Sequence, residues 1–155
     1  MKIGFSGHQD LPTEAAILLK QRLQTLFYDA KAIVGVCALA EGGDHLFARA
    51  VLERSGELEV VVPCQGYETT FDEESRLEYE RLLRQATKMT TLDFSSPSEA
   101  AYMAAGKYIV EHCDVLVAAW DGRSARGLGG TADVVKYAEH VGVRVIVIWP
   151  EGVER

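Results

Sequence analysis

Along the whole chain, short apolar runs alternate with segments whose apolar residues fall three and four positions apart. The runs have the length of strands, and the spacing between them is that of one buried helix face. Strands that alternate with helices predict an α/β, Rossmann-like architecture, a doubly wound and mostly parallel sheet with helices on both faces. We predict strands over residues 2–6, 32–40, 57–63, 89–94, 114–120 and 143–149, and a helix after each of the first five.

Several finer expectations concern these elements. The run 114–120 is apolar on both alternations, which predicts a strand covered on both faces, whereas 89–94 is expected at a sheet edge. Ser96 and Glu99 are three apart and predict a capping box for a helix over 97–112, and Gly142 is expected to end the last helix. Residues 65–71 are expected to be a loop. A helix over 72–88 is expected to bury Leu77, Leu82, Leu83 and Ala86.

Small and polar residues cluster after three of the predicted strands. In doubly wound sheets, ligands bind beyond the carboxyl ends of the strands, where the strand order reverses. The three loops are therefore predicted to form one ligand-binding site. Its candidate residues are Ser6, Gly7 and His8 after the first strand, Glu41, Gly42 and Gly43 after the second, and Asp121, Gly122, Gly129, Gly130 and Thr131 after the fifth.

The third of these loops, within residues 120–133, carries four glycines and a threonine at a helix start. Glycine lets the backbone approach a ligand closely, and the free N–H groups of a helix start attract anions. Gly129, Gly130 and Thr131 are therefore predicted to hold a phosphate. The alternative is a glycine-rich connection that only turns the chain. Asp133, in the first helical turn, would stabilise the helix dipole without any ligand.

Each of the other polar candidates has a functional and a plainer interpretation. Ser6 and Gly7 offer hydrogen-bond donors to a phosphate, His8 could bind a ribose or phosphate, and Glu41 or Asp121 could accept a sugar hydroxyl. In the plainer interpretation, the same residues only form turns.

The remaining charged residues of the loops are equally ambiguous. Asp44 could simply cap the second helix. Arg123 and Arg126 could close over an anion or lie in a solvated loop.

The overall charge narrows the possible partners. A formal charge of −7 argues against broad binding to nucleic acid or to an anionic membrane, because such binding rests on Lys and Arg, but it permits a small anionic ligand at a local site. No apolar run approaches the roughly 20 residues of a membrane span. The length fits one domain over 1–155. Three scattered cysteines without a signal-peptide pattern predict reduced thiols and a cytoplasmic location.

Common catalytic and metal-binding motifs are missing from the sequence. It has no Gly-x-Ser-x-Gly elbow, no His-Glu-x-x-His pair and no lysine-bearing phosphate loop. The histidines and cysteines show no metal-ligand spacing. We therefore expect neither a metal nor a resident cofactor.

Three segments resemble the SLOG superfamily of Rossmann-like domains, which includes the lonely-guy phosphoribohydrolases, the lysine decarboxylase-like proteins and the DNA-processing protein A domain. They are residues 4–8 (Gly-Phe-Ser-Gly-His), 39–44 (Leu-Ala-Glu-Gly-Gly-Asp) and 129–138 (Gly-Gly-Thr-Ala-Asp-Val-Val-Lys-Tyr-Ala). The resemblance implies a site for a nucleotide or nucleotide-derived ligand at these loops. It also implies a homodimer or a higher homo-oligomer.

One departure from the resemblance bears on catalysis. The related hydrolases carry Gly-Gly-x-Gly-Thr-x-x-Glu, whereas the position three after Thr131 is Val134 here. Asp133 is one residue away, which is a rotation of about 100° on a helix, so it would not point where that Glu does. The sequence therefore favours binding or sensing of a nucleotide-type ligand. The alternative is an N-glycosidic-bond hydrolase or transferase acting on a nucleoside 5′-monophosphate, with Glu41 or Asp121 in place of the missing Glu.

Overall fold

A computed structural model describes residues 1–125 and 127–155. Within them, one parallel sheet has the strand order β4-β3-β2-β1-β5-β6. Its strands are β1 (Lys2–Gly7), β2 (Val34–Cys37), β3 (Glu57–Val62), β4 (Lys88–Thr91), β5 (Val115–Ala119) and β6 (Arg144–Val147). The connecting helices are α1 (Thr13–Phe27), α2 (Gly43–Glu53), α3 (Glu73–Leu83), α4 (Glu99–Glu111) and α5 (Thr131–Val141), with a short 3-10 turn at Tyr67–Thr70. The predicted α/β architecture is confirmed.

Apolar residues on both faces of the sheet explain why helices cover both faces. On one face, Val115 and Val117 pack in a core with α1, α2 and α3, while Leu116 between them packs with α4 and α5 on the other. All five residues of β5 are buried. The continuous apolar run is thus accounted for by burial on both sides, as expected for a central parallel strand.

The order of the strands places a crevice at one point of the sheet. From β1 the chain steps outward through β2 and β3 to β4, and α4 then carries it back so that β5 pairs with β1 on the opposite side. Consecutive connections from β1 and β5 therefore leave on different faces. Their carboxyl ends diverge, which is where doubly wound sheets bind ligands.

Element boundaries differ from the predictions where the backbone has a local reason. The strand predicted over 32–40 ends at Cys37, because Leu39 adopts a left-handed φ of 54°. The predicted edge position of β4 is confirmed, and Gly142 ends α5 in the left-handed conformation. The expectation that 65–71 is only a loop was incomplete, since Tyr67–Thr70 forms a 3-10 turn.

Two helix predictions were wrong. The cap of α4 is Ser98, whose side chain accepts the Ala101 N–H, and not Ser96. In α3 the predicted stripe fails at Leu77, whose exposed fraction is 55%, while Tyr79 is buried in its place. Tyr79 turns inward because it packs against Phe71 with ring centroids 5.0 Å apart. None of the helices in the described part of the chain is long and apolar enough to cross a lipid bilayer.

Candidate ligand-binding site

A cleft of about 500 Å³ opens at the carboxyl ends of β1 and β2 and beside the start of α5. This volume lies within the range of small-molecule sites. Seven of the predicted residues line it, namely Ser6, Gly7, His8, Glu41, Gly129, Gly130 and Thr131. The structure thus brings residues of all three predicted loops to one cavity.

The start of α5 presents backbone donors at this cleft. Gly130 is the N-cap, and its carbonyl accepts the N–H groups of Asp133 and Val134 at 3.1 and 3.2 Å. Within residues 1–125 and 127–155, the N–H groups of Thr131 and Ala132 have no hydrogen-bond acceptor. Such unpaired donors at a helix start are suited to an anionic ligand group.

Gly129 is required by the geometry of the same loop. Its φ is +87°, and a Cβ atom would lie 2.7 Å from the Met103 nitrogen of α4. The Gly129 N–H donates to Asp133 Oδ2 at 3.2 Å. Asp133 therefore holds the loop against the helix in addition to lying in the first helical turn.

Gly42 and Gly43 lie behind the cleft and do not line it. The Gly43 N–H donates to the His8 carbonyl at 3.3 Å. Gly42 has a φ of +81°, and a Cβ atom there would lie 2.1 Å from the Gln9 carbonyl oxygen. These two glycines join the β2–α2 loop to the β1–α1 loop, so their contribution is to hold two walls of the cleft together.

Asp121 and Gly122 line a second hollow of about 420 Å³, between the ends of β5 and β6, together with Trp120 and Trp149. The Asp121 side chain is 1% exposed and lies beneath His8, with its Oδ1 3.2 Å from His8 Nε2. Asp121 thus reaches the cleft only through other side chains.

Arg155 completes a buried charge network around Asp121. Its Nε lies 3.1 Å from Asp121 Oδ2, and its Nη1 lies 2.9 Å from His8 Nδ1. Because a guanidinium can only donate, Nδ1 of His8 is the acceptor of the contact with Arg155, while Nε2 lies 3.2 Å from both the backbone nitrogen and Oδ1 of Asp121. Burial by itself would raise the pKa of Asp121, but the Arg123 N–H, His8 and Arg155 lower the pKa below its usual value. Arg155 lines the cleft, which the sequence analysis missed.

Replacing Arg155 by methionine is expected to lower the free energy of unfolding by about 2 kcal/mol, because it leaves the buried Asp121 carboxylate without its cation. Urea denaturation measures this change. Arg123→Met is the matched control, since Arg123 pairs with Glu154 while both side chains are more than half exposed. It should cost less than about 1 kcal/mol. Equal losses in the two variants would contradict a stabilising role for the buried pair.

Of the two arginines predicted to close over an anion, only Arg123 lies among the described residues. The Arg123 guanidinium lies 2.6 Å from Glu154 and lines the second hollow. Arg126 lies outside the described residues. The anion-binding prediction for these arginines therefore has no support from the contacts of Arg123.

An aromatic wall, formed by Tyr67, Phe71 and Tyr102, faces the cleft. The Tyr67 ring packs edge-on against Phe71 at 5.1 Å and lies 6.3 Å from Tyr102. Burial raises the pKa of Tyr67 well above its usual value, so its hydroxyl stays neutral. The wall could not be predicted from the sequence, because two of its members lie in a segment with neither strand nor helix periodicity.

Asp44 is the other residue whose role the sequence did not reveal. It is 4% exposed and lines the cleft from the first turn of α2. Its Oδ2 accepts the Ala40 N–H at 3.3 Å. Burial raises the pKa of this carboxyl to about 7, against the opposing effect of the backbone N–H donors.

Position 134 is where the resemblance to the SLOG superfamily led us to look for a carboxylate. Val134 lines the cleft, and its exposed fraction is 2%. It packs on α4 so closely that a Cβ atom at Gly106 would lie 2.6 Å from Val134 Cγ2. This part of the cleft is therefore apolar.

Comparison with known proteins shows which solved structures share this fold. No protein-family model matches the chain, and no curated protein matches it. Among solved structures, DNA processing protein A of Streptococcus pneumoniae matches with a TM-score of 0.69 and 19% identity, over 94% of this chain and 49% of that one. The DNA processing protein A of Helicobacter pylori matches with a TM-score of 0.71 and 15% identity, over 95% and 64%. This chain has the α/β, Rossmann-like fold of these proteins.

A third structure widens the range of ligands found on this fold. The molybdenum cofactor binding protein of Rippkaea orientalis matches with a TM-score of 0.63 and 14% identity, over 97% of this chain and 77% of that one. The Helicobacter pylori protein is described by its single-stranded DNA binding mode. The resemblance predicted from the three loop motifs is confirmed at the level of the fold. The present chain spans about half of the pneumococcal protein and under two thirds of the Helicobacter one.

Proposed function

We propose that the cleft binds a nucleotide or a nucleotide-derived ligand and that the protein acts as a binding or sensing domain. The observation that carries the proposal is the presence, in one cleft, of the start of α5 and the aromatic wall. The N–H groups of Thr131 and Ala132, which have no acceptor among residues 1–125 and 127–155, suit a phosphate. The rings of Phe71 and Tyr102 suit a base, because stacking on aromatic side chains tolerates every base.

The neighbours on the same fold are consistent with this class of ligand. One is described by single-stranded DNA binding, and DNA is itself built of nucleotides. For the same reason, the neighbours do not support excluding nucleic acid as a partner on the basis of net charge alone. A small nucleotide remains our proposal because the cleft has the volume of a small-molecule site, about 500 Å³, and several of its lining side chains are carboxylates.

We expect a nucleotide panel to identify a ligand by thermal shift. The panel comprises nucleoside mono-, di- and triphosphates, cyclic nucleotides and ADP-ribose derivatives. A ligand present at 100 times its Kd stabilises the folded state by about 2.7 kcal/mol, which corresponds to a rise in Tm of about 5–10 °C. A panel that leaves Tm unchanged throughout would refute the proposal.

Variants of the cleft should remove this rise. Gly130→Val narrows the start of α5, and Tyr102→Ala removes part of the aromatic wall; each is expected to weaken binding at least about tenfold. Gly130 has an ordinary φ of −69°, but a Cβ atom there would lie 2.8 Å from Ala125 Cβ, so the loop must shift to accept valine. The Tm of the ligand-free variant shows whether it is still folded. Tyr108→Ala is the matched control, because Tyr108 lies on the same helix and packs against His112. Tyr108→Ala should keep the full rise.

The hydrolase alternative depends on Glu41, the one sequence candidate for the catalytic acid that lines the cleft. Its Oε2 accepts a hydrogen bond from Ser75 Oγ at 2.9 Å. Incubation with nucleoside 5′-monophosphates and chromatography for free base separates the two functions. Base release that disappears in Glu41→Ala would establish the enzyme and overturn a function limited to binding.

The homo-oligomer and the cytoplasmic location also remain proposals. Light scattering coupled to size-exclusion chromatography measures the first, and a mass of one chain would contradict it. Fractionation of the source cells addresses the second.

A further inference from the structure

Asp44 holds an unusual position for a carboxyl group, because it lines the cleft at the end formed by the start of α2 and is almost fully shielded from water. We infer that Asp44 is a recognition residue that donates its carboxylic-acid proton in a hydrogen bond to an acceptor atom of the ligand, so that binding takes up a proton. This inference rests on the proposed function. It adds a chemical requirement, which is that the ligand presents an acceptor, such as a carbonyl or a ring nitrogen, to this end of the cleft.

The loop around Asp44 fixes the direction of its carboxyl group. Leu39 adopts a left-handed φ of 54°, which is costly for a residue with a branched side chain. Two side chains of α2 hold that conformation, since Asp44 Oδ2 accepts the Ala40 N–H and His45 Nε2 lies 3.0 Å from the Leu39 carbonyl. Asp44 therefore cannot turn away from the cleft without releasing its own loop.

The pKa of Asp44 allows its carboxyl group to carry the proton that such a contact needs. Burial raises its pKa to about 7, so both forms are populated near neutral pH. A ligand that fills the cleft removes the remaining water and disfavours the charged form further. The bound acid then carries a proton that must find an acceptor, because an unpaired buried hydroxyl is costly.

The titratable groups packed around Asp44 do not provide a charged acceptor for its proton. Burial raises the pKa of Cys37 on β2 and of Tyr67 on the 3-10 turn, and it lowers the pKa of His45 on α2, so all three are neutral near pH 7. Glu41 lies on the same loop, and its Oε2 already accepts a hydrogen bond from Ser75 Oγ. The other titratable or charged groups round the cleft are His8 and Asp10 after β1, Glu99 and Tyr102 on α4, and Arg155.

Calorimetric titration with AMP at pH 6, 7 and 8, each in two buffers of different ionisation enthalpy, tests the inference. For an apo pKa near 7, the Kd of the wild type should rise about tenfold from pH 6 to pH 8 relative to that of Asp44→Asn. The asparagine amide donates a hydrogen bond at every pH. The AMP phosphate also titrates near pH 6, but its contribution is common to both proteins and cancels in the ratio.

Asp10→Asn is the control for a carboxylate on the rim of the same cleft, and the affinity of this variant should keep the pH dependence of the wild type. If Asp44 only holds the Ala40 N–H, the wild type and Asp44→Asn will show the same pH dependence and the same proton uptake, which overturns the inference while the proposed function stands. If no member of the nucleotide panel binds the wild type at any of these pH values, both the proposed function and this inference are overturned.

Discussion

Gly42→Ala is expected to lower the free energy of unfolding by about 3–4 kcal/mol. Two costs add at this position. A left-handed φ costs an alanine about 1 kcal/mol, and at Gly42 the φ is +81°. The new Cβ would also lie 2.1 Å from the Gln9 carbonyl oxygen, so the backbone of two loops must separate.

Gly122→Ala isolates the first of these costs. Its φ is +82°, yet no atom of the described residues 1–125 and 127–155 lies within 4 Å of a Cβ atom built there. Chemical denaturation of both variants should show a loss of about 1 kcal/mol for Gly122→Ala. If the two variants lose the same stability, the contact between the β1–α1 and β2–α2 loops is not what requires glycine at position 42.

The second large effect is a change in how stability depends on pH. Asp44 has a pKa of about 7 in the folded state and 3.8 in the unfolded state. Between these values the folded protein holds a proton that the unfolded chain has lost, so the free energy of unfolding falls as pH rises through this window and levels off above it. Over about three pKa units, the loss amounts to about 4 kcal/mol.

Asp44→Asn should remove this component. Near pH 4 the two proteins should have similar stabilities, because the amide resembles the protonated acid, whereas at pH 8 the variant should be more stable than the wild type by about 4 kcal/mol. Urea denaturation at a series of pH values measures the difference, in which groups common to both proteins cancel. Asp10→Asn, at an exposed site on the rim of the cleft, should give a curve parallel to that of the wild type. A constant difference between wild type and Asp44→Asn would rule out a buried acid of raised pKa.

The fold could be predicted from the sequence because the spacing of apolar residues in each segment indicates which of its positions are buried. A strand such as β5, buried along its whole length, must be apolar at every position, and no other architecture explains so many such runs between helices. Loop positions followed from the same pattern, so seven of the eleven candidate residues line one cleft. The position of Asp121 was misjudged, since the end of a central strand can face either the crevice or the neighbouring strand.

What the sequence could not show depends on contacts between distant parts of the chain. Asp44 looks like an ordinary helix-start acid, and its raised pKa arises from the walls that bury it. The role of Arg155 depends on a contact with His8, which lies 147 positions earlier. Tyr67 and Phe71 carry no periodic signal because a single 3-10 turn is too short to have one. Burial and long-range pairing are properties of the assembled fold.

The second hollow has a consequence for how the protein can be observed. The chain has two tryptophans, Trp120 and Trp149, and both line that hollow. The Trp149 indole packs edge-on against the His8 imidazole, with ring centroids 5.4 Å apart, and His8 is itself part of the cleft wall. The tryptophan emission of the protein therefore originates next to the cleft, on the far side of His8. We expect binding in the cleft to change this tryptophan emission, which a fluorescence titration of the unlabelled protein measures.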